Sequence, residues 1–347
     1  MSRLSLFLAD LTERPSVLGP TWSIVRLLVA GAPLLTLQTN APETISPIEG
    51  APGSIGKCEG IGTLAVTCLV ESGSYGWLSQ VLFALGFALV ASGLLPVLTG
   101  PLHYYLAWSW TAALSTTDGG DQTALVFAFW AMPICLVDWR WHTWSRPATR
   151  LSLSGLRNST EVVFLTVLRI QIAFIYLISA VFKFGEETWS DGTSVYYWIH
   201  SPYFARPDWV TNLANGLADV PALLLLMTWG AIALELTLAV SLFLSPKVRL
   251  PLFVVAVGFH AAIAALFGIV SFSLTMTAML LTLLGPLWAK PWDWPQWRAR
   301  RPVATAAASA ASAGVRSETE NSVPSDSPTA STGPEPVMSA LPRDPNR

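Results

Sequence analysis

Eight long apolar runs dominate this sequence, at 21–38, 77–99, 101–117, 122–137, 160–184, 222–244, 250–267 and 270–288. Each approaches the roughly 20 apolar residues that an α-helix needs to cross a bilayer core. In lipid the backbone must satisfy its own hydrogen bonds, which leaves helices or a closed barrel. Runs this long select helices. The third run carries His103 with several tyrosines and tryptophans, which suits a tilted or re-entrant helix, and the last two are parted only by a tight turn around Gly268. Charged residues make up 12% of the chain and hydrophobic ones 52%, against about a quarter charged in a soluble domain. The expected fold class is an all-α, polytopic integral membrane helical bundle with about eight transmembrane helices. A net charge of -2 offers no footprint for nucleic acid. Three cysteines are too few for a disulfide scaffold.

Positive charge concentrates in cytoplasmic loops. With both termini cytoplasmic, Arg3, Arg14, Arg140, Arg146, Arg150, Arg157, Lys247, Arg249, Lys290, Arg298, Arg300 and Arg301 fall inside, and Lys57, Lys183 and Arg206 outside. The outer loops carry acids instead, among them Glu43, Glu186, Glu187, Asp191, Asp208 and Asp219. Trp139, Trp141, Trp144, Trp292, Trp294 and Trp297 flank the basic segments as an inner aromatic belt. Asp10, Glu13 and Pro15 make a poor signal-peptide start, so the first run is read as an anchor. Residues 1–20 are then a cytoplasmic segment, 21–290 the transmembrane domain, and 291–301 a basic, Trp-rich juxtamembrane stretch. From 302 to 347 the composition turns to Ala, Ser, Pro, Thr and Glu, as expected of a disordered cytoplasmic tail. The expected location is the cell membrane, with the bilayer as first partner.

Ionisable groups in lipid mark function or internal pairing, and five stand out: Arg26, Arg169, Lys183, Glu235 and His260. Counted from the ends of their helices, Arg169 and Glu235 lie at similar depth, so an interhelical ion pair is expected. Arg26 either snorkels to the inner interface or works inside the bundle. Lys183 ends the run IAFIYLISAVFKF and precedes GEETWSDG. It is either a snorkelling lysine balanced by Glu186 or Glu187, or an amine desolvated among Phe182, Phe184 and Trp189 that acts as a base. His260 has no second histidine at ligand spacing, so no metal is expected there and a hydrogen-bonded core histidine is the plain alternative to a functional one. Cys58 and Cys68 share the first outer loop, where an oxidising compartment lets them pair. Cys135 falls in a helix as packing. No P-loop, GxGxxG, HExxH or GxSxG motif occurs, which removes the support for nucleotide-driven transport and common hydrolase chemistry.

The stretch YLISAVFKFGEETWSDGTSVYYWI resembles the active-site segment of vitamin K-dependent gamma-glutamyl carboxylase and its bacterial relatives, the HTTM (horizontally transferred transmembrane) domain proteins. In that pattern a hydrophobic helix ends in a lysine and is followed by a short acidic stretch, a tryptophan and a glycine, here Lys183, Glu186, Glu187, Trp189 and Gly192. A second match, GFHAAIAALFGIVSFSL, places His260 and Gly268 at the family's later helix, and Glu235 matches the acid of the helix between. The N-terminal half is most similar to the SdpB-like branch, through Arg26 in WSIVRLLVAGAPLLTLQTN, the loop with Cys58 and Cys68, and DGGDQ with Asp121. Departures are that Phe182 precedes Lys183 where the carboxylase has another lysine, and that Asp121 lies near the place of a carboxylase histidine. The resemblance implies a shared helical scaffold, with glutamate carboxylation itself in doubt.

It further implies a maturation factor for a secreted, toxin-like peptide, with carboxylase-related chemistry at the extracytoplasmic face. Lys183 would be the base, His260 its hydrogen-bonding partner, a reduced quinone the cofactor, and a companion maturation protein a further partner. A non-enzymatic export, escort or immunity partner of such a peptide is the alternative. A secondary transporter ranks behind both, because no inverted repeat is visible.

Overall fold

The computed structural model describes residues 19–40, 58, 60–70, 76–114, 117–145, 154–204 and 207–285. The N-terminal segment, Glu43, Arg146, Arg150, Arg206, the juxtamembrane stretch and the tail lie outside the described residues. Twelve α-helices follow in order: α1 Pro20–Thr39, α2 Val66–Val70, α3 Gly76–Ser92, α4 Pro96–Ala113, α5 Gly119–Leu136, α6 Ser154–Phe184, α7 Glu187–Ser190, α8 Ser194–Ile199, α9 Asp208–Ala218, α10 Pro221–Ala239, α11 Pro246–Phe267 and α12 Val270–Leu284. Among the described residues no strand forms; Leu94 and His142 make one isolated bridge. The protein is an all-α membrane helical bundle.

The eight apolar runs coincide with α1, α3, α4, α5, α6, α10, α11 and α12. Four of these are long and apolar enough to cross a membrane: Pro20–Thr39, Gly155–Phe184, Pro221–Ala239 and Lys247–Phe267. α12, with 15 residues, is about 22 Å long at 1.5 Å per residue, shorter than a bilayer core. It is instead the central helix, buried almost continuously from Ser273 to Leu284 and packed on α1, α5, α6 and α11.

Local sequence sets the boundaries. Proline opens α1, α4, α10 and α11, where its missing N–H is no loss. Asp118 starts α5 with a capping box: its carboxylate accepts the Asp121 amide, and the Asp121 carboxylate accepts the Asp118 amide. Gly268, at φ 75°, ends α11. Between α3 and α4 the chain breaks at 93–95 and is tied to the loop after α5, the Leu95 amide donating to Trp141 O and the Thr143 amide to Gly93 O. That loop is itself clasped by Arg140, which bonds Asp138 and the carbonyls of Thr143 and Ser145.

Small residues let helices approach closely. A Cβ on Gly100 would strike Cys135, at the α4–α5 crossing, and one on Gly120 would lie 2.8 Å from the Phe272 Cα of α12. The main core gathers Trp22, Val25, Phe127, Leu168, Ile172, Tyr176, Met279 and Leu280. A second cluster, with Phe83, Phe87, Leu106 and Trp110, closes the N-terminal half. Cys58 and Cys68 are joined by a disulfide, their Cα atoms 5.6 Å apart, and Cys135 is buried and free.

Candidate functional site

Positions 169, 172, 176, 179 and 183 of α6 are spaced alternately three and four apart, which puts Arg169, Ile172, Tyr176, Ser179 and Lys183 on one stripe of a helix. The stripe faces α10, α11 and α12. At its C-terminal end Lys183 Nζ donates to both Glu235 carboxylate oxygens, at 2.9 and 2.8 Å, and to Ser179 Oγ at 2.7 Å. Ser179 Oγ in turn donates to Glu235 Oε1 at 3.1 Å. The Trp189 ring lies 5.1 Å from the ammonium, within cation–π range. The Lys183 and Glu235 side chains keep only 18% and 10% of their surface.

Two turns before Lys183 on α6, Tyr176 approaches His260 through Tyr176 Oη and His260 Nε2, 3.3 Å apart. His260 is 2% exposed, and Phe259 and Phe272 lie edge-on to its ring. Ser273 Oγ donates to the His260 carbonyl at 2.7 Å, fixing α12 against α11. Among the described residues the Nδ1 atom of His260 is buried without a hydrogen-bond partner. Glu235 and His260 thus reach one α6 stripe from two different helices.

Two expectations need correction. Glu235 pairs with Lys183, and Arg169 is elsewhere: its Nε and Nη2 donate to the Leu283 carbonyl at 3.0 and 2.8 Å, at the end of α12. Depth counted from helix ends assumes that the start of α6 and the end of α10 lie in one plane. They are offset, since Phe184, the last residue of α6, meets Trp229 edge-on, two turns inside α10, and Ser179 meets Glu235. Continuing that antiparallel register places Arg169 beyond Ala239, where α10 has ended. Nor is Lys183 desolvated by Phe182 and Phe184; of the three aromatics expected around it, Trp189 stands over the ammonium. Phe182 and Phe184 are 72% and 47% exposed, and Glu186 and Glu187 are exposed on the far side of the turn. Burial comes from Ser179, Glu235 and Trp189.

The remaining marked residues form other clusters. Arg26 does not snorkel: it is 1% exposed, and its Nη2 donates to Thr99 Oγ1 of α4 at 2.9 Å. Asp121 accepts from Trp110 Nε1 at 3.1 Å and, with Trp110, His103, Phe87 and Phe272, lines a narrow cavity in the N-terminal half. Gly192 takes φ 85°, and a Cβ there would strike Leu225 and approach Trp229. Asp191, next to it, accepts from the Thr193 hydroxyl and then the Thr193 amide, which holds its carboxyl below the usual carboxylate range. Tyr176 and Ser179 escaped the sequence reading, although the heptad-like stripe ending at Lys183 runs through both.

Comparison with known proteins places this arrangement. The HTTM domain model matches residues 135–288, the part that holds Tyr176, Ser179, Lys183, Glu235 and His260. The Bacillus subtilis protein YitO is 30% identical over 272 residues, 77% of this chain and 85% of that protein. The chain belongs to the HTTM family. The sporulation-delaying protein SdpB of the same bacterium is 28% identical over 268 residues, again 77% of this chain and 81% of its own length. No solved structure matches. The similarity to both HTTM relatives reaches well past the domain match, so it takes in part of the N-terminal half as well.

Proposed function

We propose that this HTTM protein is a multi-pass membrane maturation factor for a secreted peptide, and that proton transfer at the Lys183–Glu235 pair is its chemistry. The observation that carries this is the pair itself, a two-oxygen clasp bridged by Ser179. An ammonium and a carboxylate withdrawn from water cost several kcal/mol in desolvation, and helix packing alone has no use for them. Facing a weakly acidic X–H group, the Glu235 carboxylate accepts the proton, while the Lys183 ammonium stabilises the negative charge left behind. Lys183 itself becomes a base only after passing its proton to Glu235. The residues present fit a reduced quinone, because Glu235 offers an acceptor for a phenolic O–H with a positive charge beside it. When bound, that group would supply the oxidation chemistry. The similarity to SdpB, a branch whose resemblance implies the maturation of a secreted toxin-like peptide, supports such a peptide as substrate, handled on the outer face with both termini inside.

The test expresses the chain with its genomic neighbours and measures active peptide in the medium against the amount of protein in the membrane. Lys183→Arg keeps the charge and cannot deprotonate, and Glu235→Gln keeps the shape and loses the acceptor. Per amount of protein in the membrane, Glu235→Gln should lower activity by roughly 100-fold or more, and Lys183→Arg by much less, because arginine keeps the stabilising charge. Full activity of well-expressed Lys183→Arg and Glu235→Gln would remove the chemistry and leave the non-enzymatic escort.

A further inference from the structure

From its sequence, the chain between Phe184 and Pro221 looks like an acidic loop in water. Its packing puts it elsewhere. α8 and α9 bury Val195, Ile199, Ala214 and Ala218 against Leu266 at the end of α11, with Leu224 and Met227 of α10 packed on the same cluster. Gly192 lies so near α10 that a Cβ would strike Leu225 and approach Trp229. The segment therefore stands beside the first two turns of α10, residues 221–229. Those turns read PALLLLMTW and begin a helix apolar enough to cross a membrane. On their free side Leu226 is 66% exposed, a surface suited to acyl chains. What packs at the same height along that helix sits at the same depth.

The segment's own outward face suits that depth. Tyr197, Trp198, Ser201, Tyr203 and Phe204 line an open groove, and Tyr203 and Trp209 are 92% and 69% exposed. Amphipathic rings settle where headgroups meet hydrocarbon. We infer that residues 187–204 and 207–218 form an interfacial hood, seated at the headgroup–hydrocarbon boundary with bilayer lipid filling its aromatic groove. Charge decides how it is held. Glu187, Asp191, Asp208 and Asp219 repel anionic headgroups, so aromatic insertion does the anchoring and electrostatic attraction does not. The Lys183–Glu235 pair then lies beneath a lipid-seated cover, reached sideways from the bilayer.

The test places an environment-sensitive fluorophore on Tyr203→Cys and, separately, on Trp209→Cys in the full chain reconstituted in phosphatidylcholine. The native cysteines stay silent, two in a disulfide and the third buried. Both probes should be quenched about twofold or more by lipids carrying a nitroxide near the headgroup, and by iodide less than half as strongly as the dye on free cysteine. Adding phosphatidylglycerol or salt should change neither value. Full iodide quenching with none from the nitroxide lipids would overturn the hood, as would lipid quenching that appears only with phosphatidylglycerol. Probes shielded from both quenchers in native membranes but open to iodide in pure lipid would overturn it too, in favour of a protein partner.

Discussion

Lys183 and Glu235 neutralise each other where neither charge would be stable alone. Removing one partner leaves the other uncompensated, at a cost of about 3–5 kcal/mol, whereas replacing both with apolar side chains of similar size is often close to neutral. Lys183→Met and Glu235→Leu should each lower thermal stability or membrane yield, and the double variant should recover most of the loss. Singles whose losses simply add would mean the two residues are not coupled. Activity should stay lost in the double variant, which separates fold from chemistry. Arg169 belongs to another case. It completes the end of α12 by bonding the Leu283 carbonyl, so its substitution should disturb stability without a specific effect on the site.

At the scale of elements, the decisive quantity is the offset between α6 and α10. It lets Ser179 meet Glu235 and lets the chain after α6 fold over the pair through α7 to α9. Gly192 sustains that path, since it combines a left-handed backbone with close contact to α10. Gly192→Ala should cost about 1–3 kcal/mol through strain and the Leu225 clash. Gly230, inside α10 with nothing within 4 Å of a built Cβ, should respond oppositely, Gly230→Ala gaining up to about 1 kcal/mol in helix propensity. Paired melting curves read both signs. Equal responses would mean that the contact at Gly192 has no weight.

Over the whole molecule, helix ends alternate between two faces. The 93–95 turn meets the loop after α5 on one face, and Leu266 meets α8 and α9 on the other. Reporter fusions after Asp121 and Asp208 should read outside, and fusions after Arg146 and Lys247 inside. Labelling of Cys58 and Cys68 in intact cells should require prior reduction. An inside signal after Asp208 would put Lys183 on the cytoplasmic face. Much of this molecule was legible as sequence, because hydrophobic length and proline or glycine punctuation act locally. The eight apolar runs and the family pattern around Lys183, Glu235 and His260 are of that kind. Who pairs with whom was not legible. An apolar helix presents nearly the same surface at every height, so composition does not say how far one helix is shifted along its neighbour. That shift decided that Glu235 meets Lys183 and not Arg169, just as the meeting of α1 with Thr99 of α4 decided that Arg26 is buried.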